Sequence, residues 1–581
     1  MGLGALDSPP VTDNSNLIAR ARAALREHFG FENFRGPQEQ AVLAVLEGRD
    51  LLLTLPTGAG KSLVYQLPAL ILEGTTLVIS PLIALMQDQV DALLRRGIAA
   101  TFINSSLDAS ERKKRLARAS RGEFDLLYVT PERFRSRAFL EALPQLNITR
   151  LAVDEAHCIS HWGHDFRPDY SRLGEARAKL HGVPTSAVTA TATPRVAEDI
   201  VDSLGLSNPL ILRNGIERPR LFLAATSVDH AEDKLPVLLD RLESIDGAGI
   251  VYSTLIRDLE QLESELRRRG RPVLVYHGKL SARERRASQE RFMSSKDQIV
   301  LATNAFGMGV DKEDIRFVLH AQVPRTLEAW TQETGRAGRD GKPAWCETLF
   351  FGEDVALQQN FIGWANPDRE YILGVFETLR AWGERLQAKD LDDLRDELLV
   401  RQRHDHRVSI SLKWLEVLGI TEGSFEAHNL RVVRDLEPGE LPDFVGSEKK
   451  LRGDLEGLLG MTRFATQTEC CRRVLLAEHF KLDAPARPCG ACDVCANGDV
   501  WRREHFERRA AVVAEPTSAP HSSDTPFARG DWVRVDGRHL GQVVGIHGEG
   551  KSLRIEVESI GDFRRRKVDP KRSKIEPLEN D

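Results

Sequence analysis

No apolar run in these 581 residues approaches the ~18 that a membrane-spanning helix needs, and the first residues lack the basic-then-apolar layout of a secretory signal. Cysteine is scarce. There are seven, too few for a disulfide scaffold over this length, and five of them crowd between Cys470 and Cys495, which suits a metal site in a reducing compartment. An excess of charge of one sign is also missing. With 80 basic and 86 acidic side chains the net charge is −6, so nucleic acid is not held by the chain as a whole, only by local basic and aromatic surfaces. These absences exclude secreted, membrane and fibrous classes. A hydrophobic fraction of 41% and a charged fraction of 29% fit an ordinary soluble globular protein, and the length corresponds to roughly three to five domains.

Up to about Gly205 short apolar runs alternate with helical patterns. Leu51–Thr54, Leu77–Ser80, Leu126–Val129, Leu151–Val153 and Ala187–Thr189 read as buried strands, with helices between them such as Leu82–Arg96 and Ser110–Arg121. A second set begins near Leu221, with strands expected at Gly249–Tyr252, Val273–Tyr276, Ile299–Ala302, Phe317–His320 and Glu347–Phe351. The fold class expected is α/β, two parallel-sheet domains in tandem. Beyond Gly352 three helical stretches and an extended one ending at Val433 are compatible with a winged helix. A Pro/Ser/Ala linker and a Gly-broken β-rich tail, read as a small β-barrel, follow.

The chemistry concentrates in three places. Strand Leu51–Thr54 runs into Pro56-Thr57-Gly58-Ala59-Gly60-Lys61-Ser62, a Walker A loop with a helix expected from Lys61. Its glycines turn backbone N–H groups toward phosphate oxygens, Lys61 reaches the terminal phosphates, and the Ser62 hydroxyl ligates Mg²⁺. Leu55 stands where the first consensus glycine belongs. Asp154-Glu155-Ala156-His157 ends the strand Leu151–Val153, placing Asp154 to hold Mg²⁺ and Glu155 to orient or deprotonate water. Two adjacent carboxylates are ordinarily a solvated turn, but not at a strand's carboxyl end downstream of a Walker A loop. In Gln332–Gly341, Arg336 and Arg339 would read by composition as exposed helix residues. Their partnership with the upstream motifs makes them candidate arginine fingers.

Taken with Phe34–Gln38, Ser80–Gln89, Thr130–Arg133, Thr189–Thr193 and Asn304–Asp311, these motifs resemble superfamily 2 helicases of the RecQ family. The resemblance implies two RecA-like lobes with ATP between them and single-stranded DNA crossing their upper face, moved 3′ to 5′. It assigns Arg35 and Gln38 to the adenine, and Thr57, Gly58, Gly60, Lys61 and Ser62 to the phosphates. Arg336 and Arg339 enter from the second lobe, with Arg339 favoured as the finger, and Thr189 and Thr191 link nucleotide to DNA. Ser80, Thr303 and Asn304 are expected near the DNA backbone. The segment Ile159–Tyr170 corresponds to the family's aromatic-rich loop, so His161, Trp162, Phe166 and Arg167 are DNA-contact candidates. Stacking on unpaired bases contributes about 1–3 kcal/mol each. The alternative is an aromatic mini-core beneath a loop. The second lobe departs from the family at Leu255-Ile256 and at Lys279.

Cys471, Cys489, Cys492 and Cys495 have the C-x₁₇-C-x₂-C-x₂-C spacing of a closed four-thiolate Zn²⁺ site. Cys471 is preferred to Cys470 by register with Arg472-Arg473 of the family's zinc module. The expected domains are 1–14, disordered; 15–208 and 209–352, the two lobes; 353–445, helical or winged helix; 446–500, zinc module; 501–526, linker; and 527–581, barrel. The leading reading is an ATP-, Mg²⁺- and Zn²⁺-dependent 3′-to-5′ DNA helicase acting on single-stranded and partly duplex DNA in repair or recombination. It would be cytoplasmic, or nucleoid-associated if bacterial. The alternative is a DNA-stimulated ATPase that translocates or remodels without net unwinding.

Overall fold

Four-residue runs apolar on both faces are too short for helices and can be buried only in a sheet covered on both sides. The computed structural model describes residues 14–506 except 164, 215–217, 308–309, 401–404, 438 and 486. Within the tail it describes 527, 532–536, 539–547, 554–559, 565–570 and 573–577. In it these runs form two parallel sheets. The first contains β1 (Leu51–Thr54), β2 (Thr75–Ile79), β3 (Ala100–Ile103), β4 (Leu126–Val129), β5 (Ile148–Val153), β6 (Thr185–Thr189) and β7 (Leu210–Arg213), in the order β3-β4-β2-β5-β6-β1-β7. The second contains β8 (Leu221–Ser227), β9 (Ala248–Tyr252), β10 (Val273–Tyr276), β11 (Ile299–Ala302), β12 (Ile315–His320) and β13 (Ala344–Phe350), in the order β10-β11-β9-β12-β13-β8.

β1 lies between β6 and β7, so the loop after it opens at the carboxyl edge of the sheet, where open α/β folds bind ligands. Because β7 pairs with β1, the first lobe runs through Arg213 rather than ending at 208. The helix after the phosphate loop is α1 (Leu63–Ile71), which starts two residues later than expected, with Lys61 and Ser62 still in the turn. α2 (Pro194–Leu204) follows the Thr189–Thr193 segment, and α3 (Leu327–Thr334) precedes the arginine pair.

After β13, α4 (Gly352–Ala365) packs along α8 (Glu448–Thr466). Between them come α5 (Arg369–Trp382), α6 (Leu391–Glu397), α7 (Arg407–Val417) and the antiparallel hairpin β14 (Thr421–Glu422) with β15 (Arg431–Val432). Residues 366–446 thus form an insert between two helices that pack together, with a core of its own that includes Ile372, Phe376, Leu379, Trp414 and Leu415. α9 (Arg472–Phe480) and the cysteines then fasten to the second lobe. The Leu223 N–H donates to the Ala491 carbonyl (3.1 Å) and the Asp493 N–H to the Leu223 carbonyl (3.0 Å), extending the sheet edge at β8.

The chain divides into two compact units, Met1–Glu507 and Arg508–Asp581. The second contains β16 (Trp532–Val535), β17 (His539–His547), β18 (Arg554–Ser559), β19 (Arg565–Val568) and β20 (Ile575–Pro577), an antiparallel sheet ordered β19-β18-β17-β16-β20. No pairing joins its edge strands β19 and β20 among the described residues, so the expected barrel is an open sheet there. The expected N-terminal disorder over 1–14 lies outside the described residues except for Asn14, which begins a helix. The expected linker lies outside them from 507 on, and 501–506 end a helix. Among the described residues no helix is long and apolar enough to cross a membrane.

Candidate active site and nucleic-acid groove

The phosphate loop leaves the buried strand β1 with φ of +80° at Gly58 and +77° at Gly60, a region that L side chains rarely adopt. Each glycine also admits a neighbour. A Cβ on Gly58 would lie 3.1 Å from Arg339 Cδ, and one on Gly60 would lie 2.6 Å from Gln38 Nε2. Leu55 needs no such freedom. It is buried, its N–H donates to the Thr189 carbonyl (3.1 Å), and its carbonyl accepts from Lys61 Nζ (3.3 Å). Gln38 braces the loop by donating to the Ala59 carbonyl (2.8 Å) and accepting from the Arg35 N–H (2.8 Å).

Asp154 sits at the end of β5, where burial and the neighbouring Glu155 push its carboxyl up to about 7 against the pull of Lys61. Burial pulls the Lys61 ammonium below its ordinary value, opposed by Glu155 and Asp154. Glu155 has φ +48°, held by its N–H donating to Asp154 Oδ1 (2.9 Å) and by His157 Nδ1 at 3.3 Å from Glu155 Oε2. His157 Nδ1 also lies 2.9 Å from Thr189 Oγ1, and that hydroxyl donates to the Thr191 carbonyl (3.2 Å). The Asp-Glu-Ala-His segment is therefore wired directly to the Thr189–Thr193 segment.

Across the cleft Arg339 pairs with Asp311 and lies against Gly58, while the buried Arg336 donates to the Gly307 carbonyl. Arg35, Gln38, Thr57, Gly58, Gly60, Lys61, Ser62, Asp154, Glu155, Arg336 and Arg339 all line one cavity of about 510 Å³. The structure thus brings together every residue expected at the nucleotide and Mg²⁺. Ser62 and Asp154, a hydroxyl and a carboxylate on this cavity, have the hard oxygen donors that Mg²⁺ takes.

The DNA candidates divide. Thr303 and Asn304 line a cavity of about 440 Å³ with Lys279, and Trp162 and Phe166 line one of about 810 Å³ with Arg195. Asp165, Arg325, Ala365 and His406 line both cavities, so the two form one groove across the lobes. His161, by contrast, stacks on Phe444 of the insert (4.4 Å, 10°) and lies 3.3 Å from Asp199. Arg167 turns inward to Asp165 (3.1 Å) and the Pro81 carbonyl (3.3 Å). Ser80 is only 1% exposed at the end of β2 with its hydroxyl unpaired, so it does not reach the groove as expected; the strand buries it within the sheet. The aromatic loop is in part the mini-core of the alternative reading. Sequence reasoning missed Arg195, whose guanidinium lies 3.2 Å from the Trp162 ring centroid. Its place two residues after Thr193, at the start of α2, was the available signal.

The Sγ atoms of Cys471, Cys489, Cys492 and Cys495 all lie within 4.8 Å of one another, and Cys470 is outside the group. Tetrahedral Zn–S bonds of about 2.3 Å place sulfurs roughly 3.8 Å apart. The Cys471–Cys492 separation is 3.9 Å, so the four thiolates fit Zn²⁺. The buried Arg472 anchors the cluster by pairing with the half-buried Asp493 (2.6 Å).

Three family comparisons agree with this arrangement. Residues 35–200 match the DEAD/DEAH box helicase family, 232–341 the helicase conserved C-terminal domain, and 437–496 the RecQ zinc-binding family. The chain is 42% identical over 348 residues to the ATP-dependent DNA helicase RecQ of Bacillus subtilis, covering 60% of this chain and 58% of that protein. It is 43% identical over 362 residues to the ATP-dependent DNA helicase Q5 of Rattus norvegicus, covering 59% of this chain and 37% of that one. Against the probable ATP-dependent DNA helicase RecS of Bacillus subtilis it is 39% identical over 384 residues, 66% of this chain and 76% of the relative. With a relative of that identity matched over three quarters of its length, and with lobes, arginine pair and cysteine cluster in place, the chain belongs to the RecQ family.

Proposed function

We propose that this protein is an ATP-dependent DNA helicase that moves 3′ to 5′ along single-stranded DNA and unwinds duplex in repair or recombination. The observation that carries the reading is Arg339 of the second lobe lying against Gly58 of the first, in a cavity that also holds Lys61, Asp154 and Glu155. Arginines from one lobe, set against phosphates held by the other, make closure of the lobes depend on the nucleotide.

In this mechanism the loop N–H groups and Lys61 hold the phosphates, and Gln38 and Arg35 take the base. Mg²⁺, held by Ser62 and Asp154, would neutralise phosphate charge as it develops. Glu155 orients and deprotonates the attacking water, and Arg339 stabilises the charge of the transferring phosphoryl group. Loss of the terminal phosphate removes the partner of Arg339 and lets the lobes part. The contact of Glu155 with His157 and the hydrogen bonds onward to Thr189 and the Thr191 carbonyl carry that change to α2, whose Arg195 stacks on Trp162 in the DNA groove.

A translocase without net unwinding is the second reading. It is favoured by the insert, which lies between α4 and α8 and leaves the strand-separating element unassigned. Strand displacement on duplexes with a 3′ or a 5′ single-stranded tail decides between them. Product from the 3′-tailed duplex alone, lost in Lys61→Ala, is expected. DNA-stimulated ATPase with no product from either substrate would leave the translocase.

A further inference from the structure

The groove has a third wall. His406, Ser409, Ile410 and Lys413 line its 810 Å³ part, and their spacing sets them on one face of α7, while Val408, Ser411 and Leu415 turn into the core of the insert. His406 and Ser409 are exposed. This wall is rooted beside the second lobe through α4 and α8, yet it is fastened to the first. Phe444 stacks on His161, the Arg172 guanidinium donates to the Val417 carbonyl (3.1 Å), and Lys413 pairs with Asp169 (3.2 Å).

We propose that the exposed face of α7 is a DNA-contact surface, at which His406, Ser409 and Lys413 meet the sugar-phosphate backbone of the single strand lying in the groove. The inference rests on the reading of that groove as the DNA path. Continuity supports it, because His406 lines both the Asn304 cavity and the Trp162 cavity and so stands where a strand passes from one lobe to the other. Charge supports it as well. Arg195, Arg325 and Lys413 converge from the first lobe, the second lobe and the insert, Lys413 also facing Asp169 and Glu416. Of the lining acids Asp165, Glu328, Asp454 and Glu456, the first three already face basic partners of their own, namely Arg167, His479 and Lys450. A hydroxyl, an imidazole and an ammonium on one helical face suit phosphate oxygens, which are read without regard to base. The insert thereby turns an open two-lobe surface into a three-sided channel.

The test is the affinity of the full chain for fluorescent oligothymidylate, measured by anisotropy over a series of salt concentrations. Zinc content and melting temperature confirm that each variant is folded. His406→Ala with Lys413→Gln is expected to weaken binding about fivefold or more and to lower the salt slope by about 0.7 for each phosphate that is no longer neutralised. Ser409→Glu, at an exposed position, is expected to weaken it too and keeps the test alive if the double variant does not fold. Trp162→Ala and Asn304→Ala report on the groove itself. If those two weaken binding while the α7 variants match the wild type, the wall does not touch DNA and the inference falls alone. Tighter binding by the α7 variants would mean that the insert obstructs the strand, which also overturns it. If none of the four weakens binding, the groove is not the DNA path and the reading beneath the inference fails with it.

Discussion

A carboxylate in a left-handed backbone conformation has to be held there. For a residue other than glycine that conformation costs about 1–3 kcal/mol, and at Glu155 it is held by the hydrogen bond from its N–H to Asp154 Oδ1, with His157 Nδ1 3.3 Å from its carboxylate. There the Glu155 side chain lines the nucleotide cavity together with Lys61. Glu155→Gln keeps the shape and removes the base. Steady-state ATPase with saturating single-stranded DNA should fall by about 10²–10⁴-fold while equilibrium binding of ATP is retained. Arg339→Ala should cost about 10³–10⁵-fold in turnover, and Arg339→Lys should not restore it, because an ammonium cannot reproduce the guanidinium fork. Turnover within tenfold of wild type in Arg339→Ala would exclude it as the finger. The phosphate loop was legible in the sequence because its chemistry is local, whereas Arg339 read by composition as an exposed helix residue and only its partnership with the upstream motifs singled it out. Glycines, lysine and serine at fixed offsets suffice for phosphate whatever else the chain does. Ser80 was not legible, because whether a hydroxyl at a strand end faces a groove or the sheet depends on neighbours far away in sequence, here β4, whose Val129 carbonyl accepts the Ser80 N–H.

Elements were readable where burial is complete and hidden where it is not. β1 and β4 are buried at every position and stand out as apolar runs. β7 is an edge strand of mixed exposure, so its signal was weak and the lobe boundary was set too early. The pairing of α4 with α8 could not be read at all, since nothing local says that two helices some eighty residues apart close on each other around an insert. The cysteine cluster was readable in spacing, and its structural consequence lies in the attachment around it. Cys492 bridges to Leu223 on β8, and Arg473 donates to the Leu221 carbonyl (2.6 Å), so loss of the metal is expected to loosen the edge of the second sheet. Metal analysis should find one Zn²⁺ per chain in the wild type and in Cys470→Ser, and none in Cys471→Ser or Cys492→Ser. The zinc-free variants should melt several degrees lower, since a closed thiolate site contributes folding free energy directly. Retention of Zn²⁺ by Cys471→Ser with loss from Cys470→Ser would reverse the ligand assignment.

At the scale of the molecule the larger unit and the tail unit have separate reasons to be folded. The open sheet of residues 532–577 draws its core from Val533, Val535, Val543, Ile555, Val557 and Val568, all its own. Among the described residues the cores of the lobes are built from residues of the larger unit, and the zinc cluster sits in one of them through Cys471 and Cys492. Unfolding enthalpy is about 0.7 kcal/mol per residue near 60 °C, so a unit of this size absorbs only a small share of the heat taken up by the rest. Calorimetry of the full chain should therefore resolve a small transition apart from the main one. Removing zinc with a chelator should lower the main transition and leave the small one in place, because the metal binds in only one unit and stabilises only what it binds. Adding ATP with Mg²⁺ should raise the same main transition and again leave the other unmoved, for the same reason. A single cooperative peak that shifts as a whole under either treatment would show that the tail sheet does not fold independently of the larger unit, and its separate core would then be insufficient to hold it.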